Sequence, residues 1–144
     1  MSSTDVLIRR LADRAELADL VARHTLWVDE GRYGETDRIF TEDVAVESPR
    51  GQAHGIEALV ELVRPGQDRF VRTLHSKGNL VIEVDGDTAT VRAHDIAVFV
   101  LDDKTEAIAA GVHHYRARRT ERGWRFDNLV VAPIAMTQPL ARAL

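Results

Sequence analysis

RAELADLVARHTLWVDEGRYGETDRIFTEDVAVESP, residues 14–49, is the stretch around which the chain is organised. Asp13, just ahead of it, and Glu16 have the spacing of a capping box. One carboxylate would accept the first free amides of a helix and the other reach back to the cap. Leu17, Leu20, Val21, His24 and Val28 then recur at the three- and four-residue steps of one helical face. Gly31 follows, where a left-handed C-terminal residue is least strained as glycine. The pattern predicts a helix from Arg14 to Glu30, a second short helix from Gly34 to Phe40, and a strand from Val44 to Glu47. His24 and Asp29 are ionisable groups on or near an otherwise apolar helix. Buried without partners they would be costly, so this helix is expected to face something other than plain core.

Working outward, Val6, Leu7, Ile8 and Leu11 predict a separate short N-terminal helix packed on the domain. Ser48 to Gly55 reads as a loop, from its proline and two glycines. Ile56 to Val63 has helical spacing and should stop at Pro65-Gly66. Gln67 to Lys77 reads as a loop running into a strand. From Asn79 the period becomes two, and Asp85-Gly86-Asp87 supplies a hairpin turn. Strands are expected over Thr88–Leu101, Glu106–Thr120 and Trp124–Pro133, with turns at Asp102–Thr105 and Glu121–Gly123. Helices first and a meander of long strands after them give an α+β fold. The architecture expected is a cone-shaped, curved antiparallel sheet with the N-terminal helices on its concave face, enclosing a small-molecule cavity. With no internal repeat or low-complexity segment, residues 1–144 should form one domain.

Composition narrows the function classes. Without cysteine there is no disulfide, thiolate ligand or thiol nucleophile. The net charge is −4 and the arginines are scattered, so nucleic acid is not an expected partner. No apolar run approaches the ~20 residues of a membrane span. The N-terminus lacks the layout of a signal peptide, which points to the cytoplasm. Of 19 basic residues only Lys77 and Lys104 are lysine, a bias typical of a high-GC bacterial genome.

Strand alternation sorts the polar candidates by face. Gly111, His113, Tyr115 and Ala117 form one set and Val112, His114, Arg116 and Arg118 the other. The arginines mark the outer face, so His113 looks inward and His114 meets solvent or another subunit. Asp95 shares a face with Ala93, Ala97 and Phe99, as a pocket group or as a strand-end residue at the rim. Trp124, Phe126, Asn128 and Val130 alternate with Arg125 and Asp127, which makes Asn128 an inward hydrogen-bonding anchor. His24 is either a satisfied core histidine or a donor to a substrate. His54 and His94 are expected to face solvent. Three histidines and an aspartate could in principle bind metal, but none has ligand spacing such as His-x-His on one strand.

The order of elements, together with VDEGRYGETDRIFTEDVAVESPRG (28–51), TLHSKGNLVIEVDGDTATV (73–91) and GVHHYRARRTERGWRF (111–126), resembles the SnoaL-like branch of the nuclear-transport-factor-2-like superfamily. Its enzymes include scytalone dehydratase, bile-acid 7-alpha-dehydratase, hexachlorocyclohexane dehydrochlorinase, polyketide cyclases and ketosteroid isomerase, and it also holds binding domains. By this resemblance Asp29 and His75 fall where the dehydratases and the dehydrochlorinase carry a base and the carboxylate that orients it. His24 falls where the isomerase has its oxyanion-binding tyrosine and the dehydrochlorinase a lysine. His113 stands at the isomerase's second oxyanion-hole acid. Val46-Glu47-Ser48-Pro49 replaces the isomerase's Val-Glu-Asp-Pro, so that enzyme's base is missing. The dehydrochlorinase's late-strand arginine has no match near Leu129, and the aspartate–arginine–aspartate set of limonene-epoxide hydrolase cannot be assembled.

The resemblance therefore implies a lyase or isomerase without metal or other cofactor, acting on a small hydrophobic molecule. Asp29, His75, His24 and His113 would be catalytic, with Trp27, Asp95, Phe99, Tyr115 and Asn128 contacting the substrate. Dehydration is the foremost reaction and polyketide-type cyclisation its neighbour. The competing class is a non-catalytic ligand-binding or interaction domain of the same fold. A homodimer or homotrimer is expected, joined through the outer sheet face.

Overall fold

Helix α1 runs unbroken from Ser3 to Glu30 in the computed structural model, which describes residues 1–143. Its start lies well before the expected Asp13. Ser2 is the N-cap: its Oγ accepts from the Asp5 amide at 3.1 Å while the Asp5 carboxylate accepts from the Ser2 amide. No glycine or proline interrupts residues 3–14, so nothing separates two helices. Asp13 and Glu16 cap nothing and are used at long range instead. Asp13 accepts from Arg119 and from Trp124 Nε1, and Glu16 from the Trp124 amide. The first turns of α1 also do not pack on the domain, and Leu7, Ile8 and Leu11 are exposed. At the other end Gly31 adopts φ 63°, ψ 36° and its amide donates to the Trp27 carbonyl, as its position predicts.

A 3₁₀ turn (Tyr33–Arg38) leads into β1 (Phe40–Ser48). The Pro/Gly-rich stretch expected to be a loop returns as a short strand, β2 (Gly51–His54), in a hairpin that sets Val46 opposite Ala53. Helix α2 (Ile56–Gln67) continues through Pro65 rather than stopping there. A proline in the last turn forfeits one backbone bond, and the Asp68 amide still closes the helix on the Arg64 carbonyl. Strand β3 begins at Arg72, inside the segment read as loop, and extends to Asp85. Strands β4 (Thr88–Val100), β5 (Thr105–Thr120) and β6 (Gly123–Met136) complete the meander, and a two-residue β7 (Leu140–Ala141) pairs with β5.

The sheet order is β2-β1-β6-β5-β4-β3. All pairings are antiparallel except β1 with β6, which is parallel and makes the curved, open sheet a mixed one. Four irregularities interrupt the ladders: between Gly78 and Val81, between Ala110 and Gly111, between Arg116 and Ala117, and, where β1 pairs with β6, between Phe40 and Ala45. A bulge inserts one residue and so moves every later side chain to the opposite face. Asn79 supplies the first with φ 50°. The core lies between α1 and the inner sheet face, where Leu17, Leu20, Val21 and Trp27 meet Phe40, Val91, Tyr115, Phe126 and Leu129. No helix among the described residues is long and apolar enough to cross a membrane.

Candidate active site

Beyond this core the helix and sheet diverge around a cavity of about 320 Å³. Its apolar wall includes Trp27, Leu59, Val63, Phe99, Leu129 and Val131, and its polar wall His24, His75, Lys77, Asp95 and His113. Three strands deliver these groups by simple alternation. Thr73, His75 and Lys77 share the inner face of β3, Ala93, Asp95, Ala97 and Phe99 that of β4, and His113 and Tyr115 that of β5. Register sets Lys77 opposite Asp95 and Ala93 opposite His113.

Asp29, in the last turn of α1, meets His75 across the helix–sheet junction. His75 Nδ1 lies 2.6 Å from Asp29 Oδ1, and the His75 backbone amide donates to Asp29 Oδ2 at 2.9 Å. Thr73 donates to Oδ1 at 2.7 Å, and Gln67 in turn donates to Thr73. Burial by itself pushes the Asp29 carboxyl up, but the bonds from His75 and Thr73 outweigh it and hold the group below the usual carboxylate range. An ionised Asp29 fixes the proton of His75 on Nδ1, which leaves Nε2 as the basic nitrogen. His75 is on the cavity wall; Asp29 stands behind it.

A second polar chain crosses the same wall. His24 Nδ1 is 2.7 Å from the Tyr115 hydroxyl, which is 3.4 Å from His113 Nδ1. His113 Nε2 lies 3.5 Å from Asp95 Oδ2, and Lys77 Nζ donates to Asp95 Oδ1 at 2.9 Å. Burial raises the Asp95 carboxyl, yet contact with His113 and the charge of Lys77 hold it far below its ordinary range. Burial also pushes the Tyr115 hydroxyl well up, so it stays protonated and can donate.

His24 is driven well below the ordinary histidine range, first by burial and then by the positive charge of Lys77, His113 and His75. It should therefore remain neutral where a free imidazole, with a pKa of about 6.5, takes up its proton. The unfolded chain binds that proton first, so this site removes stability as pH falls below about 6.5. The ring signals of His24 in an NMR titration are expected to hold flat from pH 8 to about 5.5; a midpoint near the free value would contradict the burial argument.

Most residues picked from the sequence reach this site. His24, Trp27, His75, Asp95, Phe99 and His113 line the cavity, and Asp29 supports it. Two do not. Asn128 lies on the outer face beside Arg92, His114 and Arg116, because the irregularity opposite Arg116 inserts Asp127 and reverses the alternation after Phe126. Leu129 and Val131 take the inward positions instead. Tyr115 is buried beneath His24 and His113 and supports them rather than lining the cavity. His54, His94 and His114 are exposed, as expected. Lys77 was missed: with Gln67–Lys77 read as a loop running into a strand, the period-two run Thr73, His75, Lys77 went unused. Among the described residues no three His, Asp or Glu side chains converge to hold a metal ion.

Comparison with known proteins places the fold among solved structures. An uncharacterized protein of Mycobacterium tuberculosis is 25% identical over 124 residues, covering 82% of this chain and 83% of its own. Among solved structures, hexachlorocyclohexane dehydrochlorinase LinA-type3 from Novosphingobium barchaimii superposes with a TM-score of 0.82 at 24% identity, covering 92% of this chain and 93% of that one. A scytalone-dehydratase-like protein from Novosphingobium aromaticivorans gives 0.79 at 20% identity, over 93% and 90%. An NTF2-like protein with a cystatin-like fold from the same organism gives 0.80 at 25%, over 91% and 88%. Residues 9–130 match the SnoaL-like domain model, and the chain belongs to that family.

Proposed function

We propose that this protein is a cofactor-free lyase of the dehydratase type acting on a small, largely hydrophobic molecule. The observation that carries the reading is the Asp29–His75 contact at the wall of a cavity of suitable size. His75 Nε2 takes a proton from carbon beside an activating group, and Asp29 stabilises the imidazolium that forms. His24 and His113, on the same polar wall, assist a leaving group or donate to developing negative charge. Polyketide-type cyclisation needs the same proton abstraction and is the nearest neighbour. The dehydrochlorinase and dehydratase likenesses support elimination by analogy, since at their identity they share the fold. A direct test is hydrogen–deuterium exchange in D₂O on small hydrophobic compounds with acidic C–H bonds. Exchange with the wild type and none with His75→Ala is expected. Tight, saturable binding across the panel without exchange would favour a non-catalytic carrier.

We also propose self-association through the outer sheet face. Leu74, Val98 and Ile108 form one cross-strand row there, with Ile96 beside it; Leu74, Ile96 and Ile108 are exposed. Val112, expected in that patch, is already buried. Apolar surface this continuous is usually covered by a partner. Light scattering is expected to give a dimer or trimer at micromolar concentration, and Ile96→Glu a monomer. A monomeric wild type would count against the idea.

A further inference from the structure

Lys77 has no role in the reading above, yet it is a buried lysine on the cavity wall. Its side chain is only 3% exposed, and its ammonium has one hydrogen-bond acceptor among the described residues, Asp95 Oδ1. An ammonium carries three donors, so two N–H groups are left without protein partners at the cavity wall. Burying such a pair is poor economy for stability alone, because desolvation offsets most of the Coulomb attraction. A charge held this way in a cleft points to function. Position sharpens the point. Lys77 follows His75 by two residues on the same face of β3, which sets them roughly 6–7 Å apart along the strand. Burial favours the neutral form of His24, and Arg50, the other lysine or arginine on the cavity wall, is exposed.

We propose that Lys77 is a further catalytic residue whose ammonium receives a carbonyl oxygen as that oxygen becomes negative, and that the substrates are carbonyl compounds with a hydrogen on the α-carbon. The proposal rests on His75 as the base. In the first step the Cα–H bond breaks, its proton passes to His75 Nε2, and its electron pair moves through the carbonyl onto oxygen. The resulting enolate oxygen lies against Lys77; burial lowers the pKa of this ammonium, while the charge and hydrogen bond of Asp95 act against that shift and orient it. In the second step the pair returns to form the Cα–Cβ double bond as the Cβ–OH bond breaks. The leaving hydroxide takes a proton from the His75 imidazolium and departs as water, so the enzyme ends in its starting protonation state. His75 and Lys77 thereby divide the work as proton acceptor and oxyanion partner, the second being effective because it is fixed before the charge develops.

A substituted phenol such as p-nitrophenol mimics the enolate in charge and shape, and its absorbance reports whether it binds as phenolate. The wild type is expected to favour the phenolate over the phenol at least about tenfold relative to bulk water at the same pH. Lys77→Met should abolish that preference. Because this variant leaves Asp95 without its ammonium, the double variant Lys77→Met/Asp95→Asn, which restores a neutral wall, serves as the control for folding and should lose the preference as well. His75→Gln should retain it. Phenolate preference unchanged in both lysine variants, or no saturable phenol binding by the wild type, would overturn the proposal. Borohydride trapping of a ketone on Lys77 would also overturn it, since the lysine would then be a nucleophile. If His75→Ala keeps its turnover while the phenolate pattern holds, the base assignment fails and the lysine site stands.

Discussion

Replacing His75 with alanine is expected to remove most of the rate, about 10²–10⁴-fold, the usual contribution of a positioned general base. That factor corresponds to about 3–5 kcal/mol of barrier. The geometry makes the loss specific to chemistry. His75 sits on the cavity wall in edge contact with Phe99, so alanine enlarges the cavity without opening the core of α1 against the sheet. Asp29→Asn should cost a comparable factor for a different reason. The amide can still accept from the His75 backbone, but it carries no charge to stabilise the imidazolium, and it can donate to Nδ1 and so place the ring proton on the wrong nitrogen. Since the two side chains act as one base, the double variant should be little slower than either single one. Steady-state kinetics on any substrate found by deuterium exchange checks all three. A His75→Ala enzyme within a few-fold of wild type defeats the mechanism, and losses that multiply would mean that the residues act independently.

The elements of this fold were legible where the pattern is strictly local. Period-two alternation located β4, β5 and most of β6, and Gly31, Gly86 and Gly123 mark real turns with positive φ. Reading failed where a long-range contact or an inserted residue decides. Asp13 and Glu16 have capping spacing, but their partners are more than a hundred residues away in sequence. The parallel pairing of β1 with β6 leaves no trace in either strand.

The site shows the same division. Which face Asp95, Phe99 and His113 occupy followed from parity alone. The Asp29–His75 pairing came from family resemblance, because a separation of 46 positions carries no spacing signal. Asn128 was misplaced by one inserted residue, since a bulge is invisible to a periodicity argument that assumes a regular ladder. Lys77 was overlooked because Gln67–Lys77, read as a loop running into a strand, gave no parity to its side chains, and a lysine that composition alone would send to solvent is among the most buried side chains in the site.

Asp13→Ala is expected to destabilise the fold by about 1–4 kcal/mol, most of it from one orphaned indole. Asp13 Oδ1 accepts from Trp124 Nε1 at 3.0 Å and from Arg119 Nη1 at 2.8 Å, while Oδ2 accepts from Arg119 Nη2 at 2.9 Å. Trp124 is fully buried, so alanine leaves its N–H unpaired at roughly 1–3 kcal/mol. Arg119 is 34% exposed, remains stacked 4.6 Å over the Trp124 ring and keeps Asp87. Losing its ion pair is therefore screened to the scale of a surface bridge, under about 1 kcal/mol. Thermal unfolding should drop by roughly 3–15 °C for a chain of this size. The pH dependence separates the terms. The bonds from Arg119 hold the Asp13 carboxyl below its ordinary value. A depressed carboxylate stabilises the fold above the unfolded pKa of about 3.9 and loses that contribution as pH falls through the lower folded value. The gap between wild type and Asp13→Ala should thus be constant from neutral pH to about 4 and narrow in more acidic solution. Asp13→Asn keeps an acceptor for the indole and should cost less than half as much as alanine. Equal losses for the two variants would assign the effect to the charge, and an alanine variant as stable as wild type would show that the indole finds another partner.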